Sequence, residues 1–220
     1  MSRNRIAGAL LLCAFACAGK EIHPITKRRI AQVTDPASAD SSMRREREAE
    51  ERPYVALDAI MIPRGGVVAD VGAGLGYFTG RLAERVGPQG TVYGQDIRQS
   101  LLDGMMKNMR ERGVKNVRPV LGTAEDPGLP PDALDLVLLV DVYNEFSEPE
   151  KMIDRLRDSL KPGGRLVLLE YRAEDEAIPV APEHKMTVKQ VRAEIEPQGL
   201  RFDQAIEVLP RQHIIIFRRP

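Results

Sequence analysis

The sequence predicts an α/β fold: a doubly wound, mostly parallel sheet with helices on both faces, ending in an antiparallel hairpin. Three observations carry this. From Pro53 onward, apolar runs of strand length alternate with amphipathic stretches of helix length, the pattern of a parallel sheet covered on both sides. Each of the five strand-length runs before the hairpin is apolar enough to be buried on both faces. The last two runs are joined only by Pro210 and Arg211, and so short a link joins antiparallel strands, because a parallel pair needs a crossover of about a dozen residues.

Taken in order, strands are predicted at Val67 to Val71, Thr91 to Asp96, Val117 to Leu121, Leu134 to Val140 and Arg165 to Tyr171. Helices are predicted at Tyr77 to Val86, Ser100 to Arg112 and Glu148 to Leu160. The last carries Met152, Ile153, Leu156 and Leu160 on one stripe, with Lys151, Arg155, Arg157 and Asp158 facing out. It stops at Lys161-Pro162-Gly163-Gly164, where proline and glycines do not continue a helix. Thr187 is placed to cap a helix running to about Gln198, with Gly199 just beyond its end. The hairpin then pairs Arg201 to Leu209 with Gln212 to Phe217.

A chain of 220 residues holds one ordinary domain and a leader. Lysine plus arginine and aspartate plus glutamate both number 32, so no global field favours nucleic acid or an acidic surface. Tryptophan is absent and phenylalanine and tyrosine number 5 each, too few for base-stacking platforms; no nucleic-acid partner is expected. Cys13 and Cys17 both lie near the amino terminus, and His23, His184 and His213 are far apart, so no metal site is expected.

The start reads as a basic tip, Arg3 and Arg5, followed by an apolar run from Ile6 to Ala16 too short to span a bilayer. This is the pattern of a signal peptide or lipoprotein-type leader. The division expected is 1–19 as leader, 20–52 as polar linker and charged helix, and 53–220 as the folded domain. In the charged stretch Met43 to Glu48, opposite charges three or four apart support a solvated helix. A used leader implies an exported or membrane-anchored chain, with membrane association through that leader; without it the chain is cytoplasmic.

Between the first strand and its helix stands Asp70-Val71-Gly72-Ala73-Gly74-Leu75-Gly76. Alternate glycines at such a junction let the backbone turn sharply and let a ligand approach it. A dinucleotide fingerprint wants two residues between its second and third glycines; here Leu75 stands alone, which suits a ligand with no pyrophosphate. Twenty residues after Gly76 the second strand ends at Asp96, where a carboxylate can accept both ribose hydroxyls of an adenosine group. Asp70 is either a ligand contact or a carboxylate that orients the loop.

Asp70 to Gly76, Asp96, Asp135-Leu136-Val137-Leu138 and Leu160-Lys161-Pro162-Gly163-Gly164, in this order, resemble the successive motifs of class I S-adenosylmethionine (SAM) dependent methyltransferases. Within them the chain is similar to the branch of ubiquinone/menaquinone C-methyltransferases. The resemblance covers about Val55 to Phe217. It implies a Rossmann-like seven-stranded sheet with a reversed final strand, SAM as cofactor, and methyl transfer to a small-molecule or otherwise unidentified acceptor. It assigns the cofactor to Asp70, Gly72, Ala73, Gly74, Gly76, Asp96 and Ile97. Where that branch commonly has an aspartate for the adenine amino group, this chain reads Gly122-Thr123-Ala124-Glu125-Asp126, so Thr123, Ala124 and Glu125 are the candidates there.

Methyl transfer from a sulfonium needs an aligned acceptor more than a covalent catalyst, and a base only if the acceptor must lose a proton. Asp141, at the end of the fourth strand, is the candidate for the methionine end of SAM. Asn144, Glu145 and His184 are candidates for catalysis, and Tyr143, Tyr171, Arg172 and Lys185 for the acceptor. Two other readings stay open: a nicotinamide-dependent oxidoreductase on a related sheet, and a catalytically silent SAM-binding module.

Overall fold

The computed structural model describes residues 21–33 and 46–220. The leader with Cys13 and Cys17, and Met43 to Arg45 of the charged stretch, lie outside the described residues. No described helix is long and apolar enough to cross a membrane.

The predicted strands form as β1 (Val67–Val71), β2 (Thr91–Asp96), β3 (Val117–Leu121), β4 (Leu134–Val140), β5 (Leu160–Arg172), β7 (Arg201–Ile206) and β8 (Gln212–Arg218), with a two-residue β6 (Lys185–Met186) added. Their order across the sheet is β3-β2-β1-β4-β5-β8-β7, with β6 on β5. β8 runs antiparallel to both β5 and β7, while β1 to β5 pair in parallel. The seven expected strands are therefore present with the reversed last strand, and β6 makes eight.

The helices α3 (Tyr77–Val86), α4 (Gln99–Glu111) and α5 (Pro149–Ser159) fall within a residue or so of expectation, the usual uncertainty of helix ends. α6 (Val188–Ile195) starts at a capping box: Thr187 Oγ1 accepts from the Gln190 amide at 3.0 Å, and Gln190 Oε1 accepts from the Thr187 amide at 2.9 Å. It tightens into a 3-10 turn, Glu196–Gln198, before Gly199 at φ 82°, where a glycine takes the left-handed form without strain.

Three expectations need correction. Leu160 to Gly164 extends β5 backward instead of ending in loop, because the Gly163 amide donates to Arg219 O (2.8 Å) and the Arg219 amide donates to Gly164 O (2.9 Å). β7 stops at Ile206 rather than Leu209, since Glu207 turns to Arg172 and His213. β3 is not buried on both faces: it is the edge strand of the sheet, with Arg118, Pro119 and Leu121 exposed. The charged stretch continues into α1 (Glu46–Glu51), followed by α2 (Pro53–Ala59); Glu48 and Ala49 face solvent, and beyond them Glu51 turns inward at 4% exposed.

Alternation along each strand divides the core. Val68, Leu136, Leu138, Val167, Ile214 and Ile216 face α2, α3 and α4. Ala69, Val137, Leu139, Leu168, Ile215 and Phe217 face α5 and α6. β1 and β4 are neighbours although β2 and β3 follow β1 in the chain, so the winding reverses between them. That switch point opens a crevice at the strands' carboxyl ends, where ligands of such sheets bind.

Candidate functional site

The crevice is a cavity of about 460 Å³. Its floor is the glycine loop, whose amides are mostly used inside the protein. Gly72 N and Ala73 N donate to Gln95 O at 2.9 and 2.8 Å, Gly74 N donates to Asp96 Oδ2 at 3.1 Å, and Gly76 N donates to Ala73 O at 2.9 Å. The loop is thus tied to the end of β2 rather than spread for a pyrophosphate, which agrees with its spacing. Gly72 is required twice over: its φ is 76°, and a Cβ there would lie 2.6 Å from Val142 Cγ2. Gly74, at φ 55°, has nothing within 4 Å of that position and opens onto the cavity.

Asp96 is 4% exposed, and its Oδ1 accepts from the Arg98 amide at 3.0 Å. Its carboxylate forms part of the cavity wall beside Ile97 and Leu101.

The opposite wall is unusually rich in buried carboxyls. Asp70, 3% exposed, accepts from Thr79 Oγ1 at 2.5 Å; burial pushes its carboxyl up to about 6, with Thr79 and Arg47 opposing. Asp141 sits at φ 51°. Its Oδ2 accepts from Gln212 Nε2 at 2.8 Å, while Oδ1 is buried without a partner. Burial, then the negative charges of Glu51 and Glu170, holds it well above the usual carboxylate range. Glu51 reaches in from α1, with Oε1 paired to Arg47 Nε at 2.7 Å and Oε2 buried without a partner. Arg47 lies over the Tyr77 ring, 4.4 Å from its centroid. Burial, reinforced by Asp141 and Glu51, raises the Tyr171 hydroxyl.

Glu145, Phe146, Met152, Tyr171 and His184 line the remaining side. His184 Nδ1 is 3.1 Å from Asn144 Oδ1. Behind it Glu170, fully buried, is pushed up to about 7 by burial, with the Asn144 amide and the Tyr143 N–H opposing.

Of the residues singled out from sequence, Asp70, Gly72, Ala73, Gly74, Asp96, Ile97, Ala124, Asp141, Glu145, Tyr171 and His184 line this one cavity. The others do not. Gly76 packs beneath the loop, where a Cβ would lie 2.7 Å from Met105 Cγ. Thr123 Oγ1 accepts from the Asp126 amide at 3.0 Å and closes its own turn, and Glu125 pairs with Lys151 on the surface at 3.0 Å. Tyr143 is a core residue, edge-on to Phe146 at 5.6 Å between ring centroids. Arg172 binds Glu207 (2.9 Å) and Leu209 O (2.6 Å), and Lys185 binds Asp175 O (3.1 Å). Asn144 stands one shell back, touching His184. Val33, Arg47, Glu51, Tyr77, Phe78 and Arg98 line the cavity without having been singled out. Among the described residues no group could hold a metal ion.

A doubly wound sheet in this order, with its last strand reversed and a glycine loop and Asp96 at the switch point, is the class I SAM-dependent methyltransferase fold. The chain matches the family model described as a methyltransferase domain over residues 62–206, and it belongs to that family. Among curated proteins it is similar to the ubiquinone/menaquinone biosynthesis C-methyltransferases UbiE of Idiomarina loihiensis, at 30% identity, and Yersinia enterocolitica, at 34%. Each alignment spans 116 residues, 52% of this chain and 46% of the relative, so the chain spans about half the length of these relatives. Among solved structures it resembles a SAM dependent methyltransferase from Aquifex aeolicus, with TM-score 0.81 and 23% identity over 86% of this chain and all (100%) of that one. The [4+2]-cyclase SpnF shares the fold at TM-score 0.68 and 17% identity, over 90% of this chain and 89% of that one.

Proposed function

We propose that this chain binds S-adenosylmethionine in the cavity and transfers its methyl group to a small-molecule acceptor. The observation that carries the reading is the Asp96 carboxylate, braced by the Gly74 and Arg98 amides on the cavity wall. Such a carboxylate accepts a ribose diol through charge-assisted bonds. Ile97, Leu101 and Ala124 supply contacts for the base.

The carboxyl-rich wall suits the other end of the cofactor. A carboxylate oxygen buried without a partner is unfavourable unless a cation meets it, and Glu51 Oε2 and Asp141 Oδ1 are two such atoms in one cavity. The ammonium and sulfonium of SAM are cations, and Arg47, already paired with Glu51, puts a positive charge on the same wall for the amino-acid carboxylate. When bound, SAM supplies an electrophilic methyl carbon on sulfur. The protein orients an acceptor against it and excludes water, and orientation of this kind contributes on the order of 7–11 kcal/mol to lowering a barrier.

Val142, Phe146 and Met152 give the acceptor side an apolar wall. The relatives named above are C-methyltransferases of quinone biosynthesis, which supports a small-molecule acceptor. The basic tip and apolar run at the amino terminus support an exported or membrane-associated form; cell fractionation with an antibody to the domain tests this, and a wholly cytosolic, uncleaved chain would end it.

Calorimetric titration of the full chain with SAM, its demethylated product and NAD⁺ tests the cofactor. SAM and its product should both bind and NAD⁺ should not. NAD⁺ affinity without SAM affinity would restore the oxidoreductase reading.

A further inference from the structure

A hydrogen-bonded chain behind the cavity wall ends on His184. It begins at Glu170 on β5, where Oε1 accepts from the Tyr143 amide at 3.1 Å and Oε2 accepts from Asn144 Nδ2 at 2.8 Å. Ionised, the Glu170 carboxylate only accepts, so in that form the Asn144 amide turns its nitrogen toward Glu170 and its oxygen toward the histidine. That oxygen lies 3.1 Å from His184 Nδ1 and also only accepts, so Nδ1 carries the hydrogen. The other ring nitrogen, Nε2, is left with its lone pair.

The Asn144 backbone is held as firmly. Its carbonyl accepts from the Ala31 amide at 3.0 Å and from Arg28 Nη1 at 3.0 Å, both on the amino-terminal segment 21–33. Asn144 is 1% exposed, so the orientation of its amide is set by its hydrogen-bond partners rather than by water.

We infer that Asn144 and Glu170 are positioning residues that hold His184 in the Nδ1–H form, with Nε2 as the base of the cavity. This rests on the cavity being the methyl-transfer site. In the step assigned to His184, an O–H or acidic C–H bond of the acceptor breaks, its electron pair stays on the acceptor atom, and the proton forms an N–H bond at Nε2. The resulting imidazolium is steadied by the Asn144 oxygen with Glu170 behind it. His184 is partly exposed at the mouth, so the proton can leave to water. The acceptor class this selects is one that must give up a proton, a hydroxyl or an acidic carbon, rather than an amine with a lone pair ready to attack.

The tautomer can be read directly. The chain has 3 histidines, so long-range proton–nitrogen spectra of the ¹⁵N-labelled full chain are simple, and His184→Gln assigns the signal. In mildly alkaline buffer, where Glu170 is ionised, neutral His184 should show a protonated Nδ1 and a bare Nε2, the reverse of the tautomer a free histidine side chain favours in water. Glu170→Gln keeps the shape, but the Tyr143 N–H still demands an oxygen, so the new amide turns its NH₂ toward Asn144. Asn144 then flips, presents its own NH₂ to Nδ1, and the two nitrogen shifts of His184 exchange. Wild-type His184 in the Nε2–H form overturns the inference without any variant. So does an unchanged tautomer in a Glu170→Gln protein that still binds SAM. Titration of the same samples with SAM separates the two levels: wild type that fails to bind SAM refutes the reading of the cavity, whereas SAM binding with the wrong tautomer refutes only the positioning role.

Discussion

Asp70 is a carboxylate that the fold would be more stable without. Burial raises it from 3.8 to about 6, against the opposing pull of Thr79 and Arg47. Its folded value lies above its unfolded one, so between the two the folded chain binds more protons. Stability therefore falls as pH rises from 3.8 to about 6 and levels off beyond. At about 1.36 kcal/mol per pH unit, the ionised carboxyl destabilises the fold by ~3 kcal/mol above that window. Asp70→Asn keeps an oxygen for the Thr79 hydroxyl and removes the charge. The variant should be more stable than wild type by up to ~3 kcal/mol near pH 8, by about half that near pH 5 and hardly at all near pH 3. For a chain of this size ~3 kcal/mol corresponds to roughly 6–12 °C in melting temperature. Thermal and urea unfolding of both proteins across that pH range is the assay, with SAM titration alongside, where the variant should bind more weakly. A variant no more stable than wild type near pH 8, or a difference that does not change with pH, would refute the reasoning.

Four other outcomes are expected. Asp96→Ala should weaken SAM binding at least ~100-fold, the loss of two charge-assisted bonds, while Thr123→Ala changes it less than about threefold because that hydroxyl serves its own turn; calorimetry that found equal losses would remove the ribose role of Asp96. Glu51→Gln should cost ~1.5–3 kcal/mol of SAM affinity, and unchanged affinity would exclude α1 from the cofactor site. Gly72→Ala should destabilise the chain by ~2–5 kcal/mol, combining left-handed backbone with a clash on Val142; Gly74→Ala costs only ~1–2 kcal/mol but lowers SAM affinity, since its Cβ enters the open cavity, and equal melting temperatures would contradict the geometry. SAM affinity should rise with pH through about 6 as Asp70 ionises, and further as Asp141 does, with protons released on binding; a flat pH profile would deny these carboxyls to the cation.

The elements that were legible in the sequence owe their form to local rules. Strand-length runs rich in apolar residues matched the limits of β1 to β4, and Thr187 as a cap matched the start of α6, because each depends only on neighbours in the chain. What α1 adds to the cavity wall was not legible, because it depends on which side of the sheet a distant segment lands. Arg47 and Glu51, one helical turn apart, look like any solvated ion pair; in the fold the Tyr77 ring lies beneath the guanidinium and both side chains line the cavity. Tyr143, Arg172 and Lys185 stand at the right edge of the sheet, but Tyr143 turns into the core and the other two side chains bind the β7–β8 connection and the loop after β5. Glu170 did leave a trace, a carboxylate continuing the buried run Leu166 to Leu169, and that mismatch between neighbourhood and charge is the signal that could have found it.

The match to the methyltransferase-domain family covers residues 62–206, and the cavity is not complete within those bounds. The glycine loop, Asp96, Asp141 and His184 lie inside them, but Val33, Arg47 and Glu51 come from earlier in the chain. Segment 21–33 is fastened at two points. Glu194 on α6, 1% exposed, takes Arg28 Nε at 3.0 Å and the Thr26 hydroxyl, and the Asn144 carbonyl takes Arg28 and Ala31. One arginine therefore bridges α6 to the turn that carries Asn144 and Glu145. Asp96, proposed for the ribose, lies within the matched residues, whereas Arg47 and Glu51, proposed for the amino-acid end of the cofactor, come from a segment outside them.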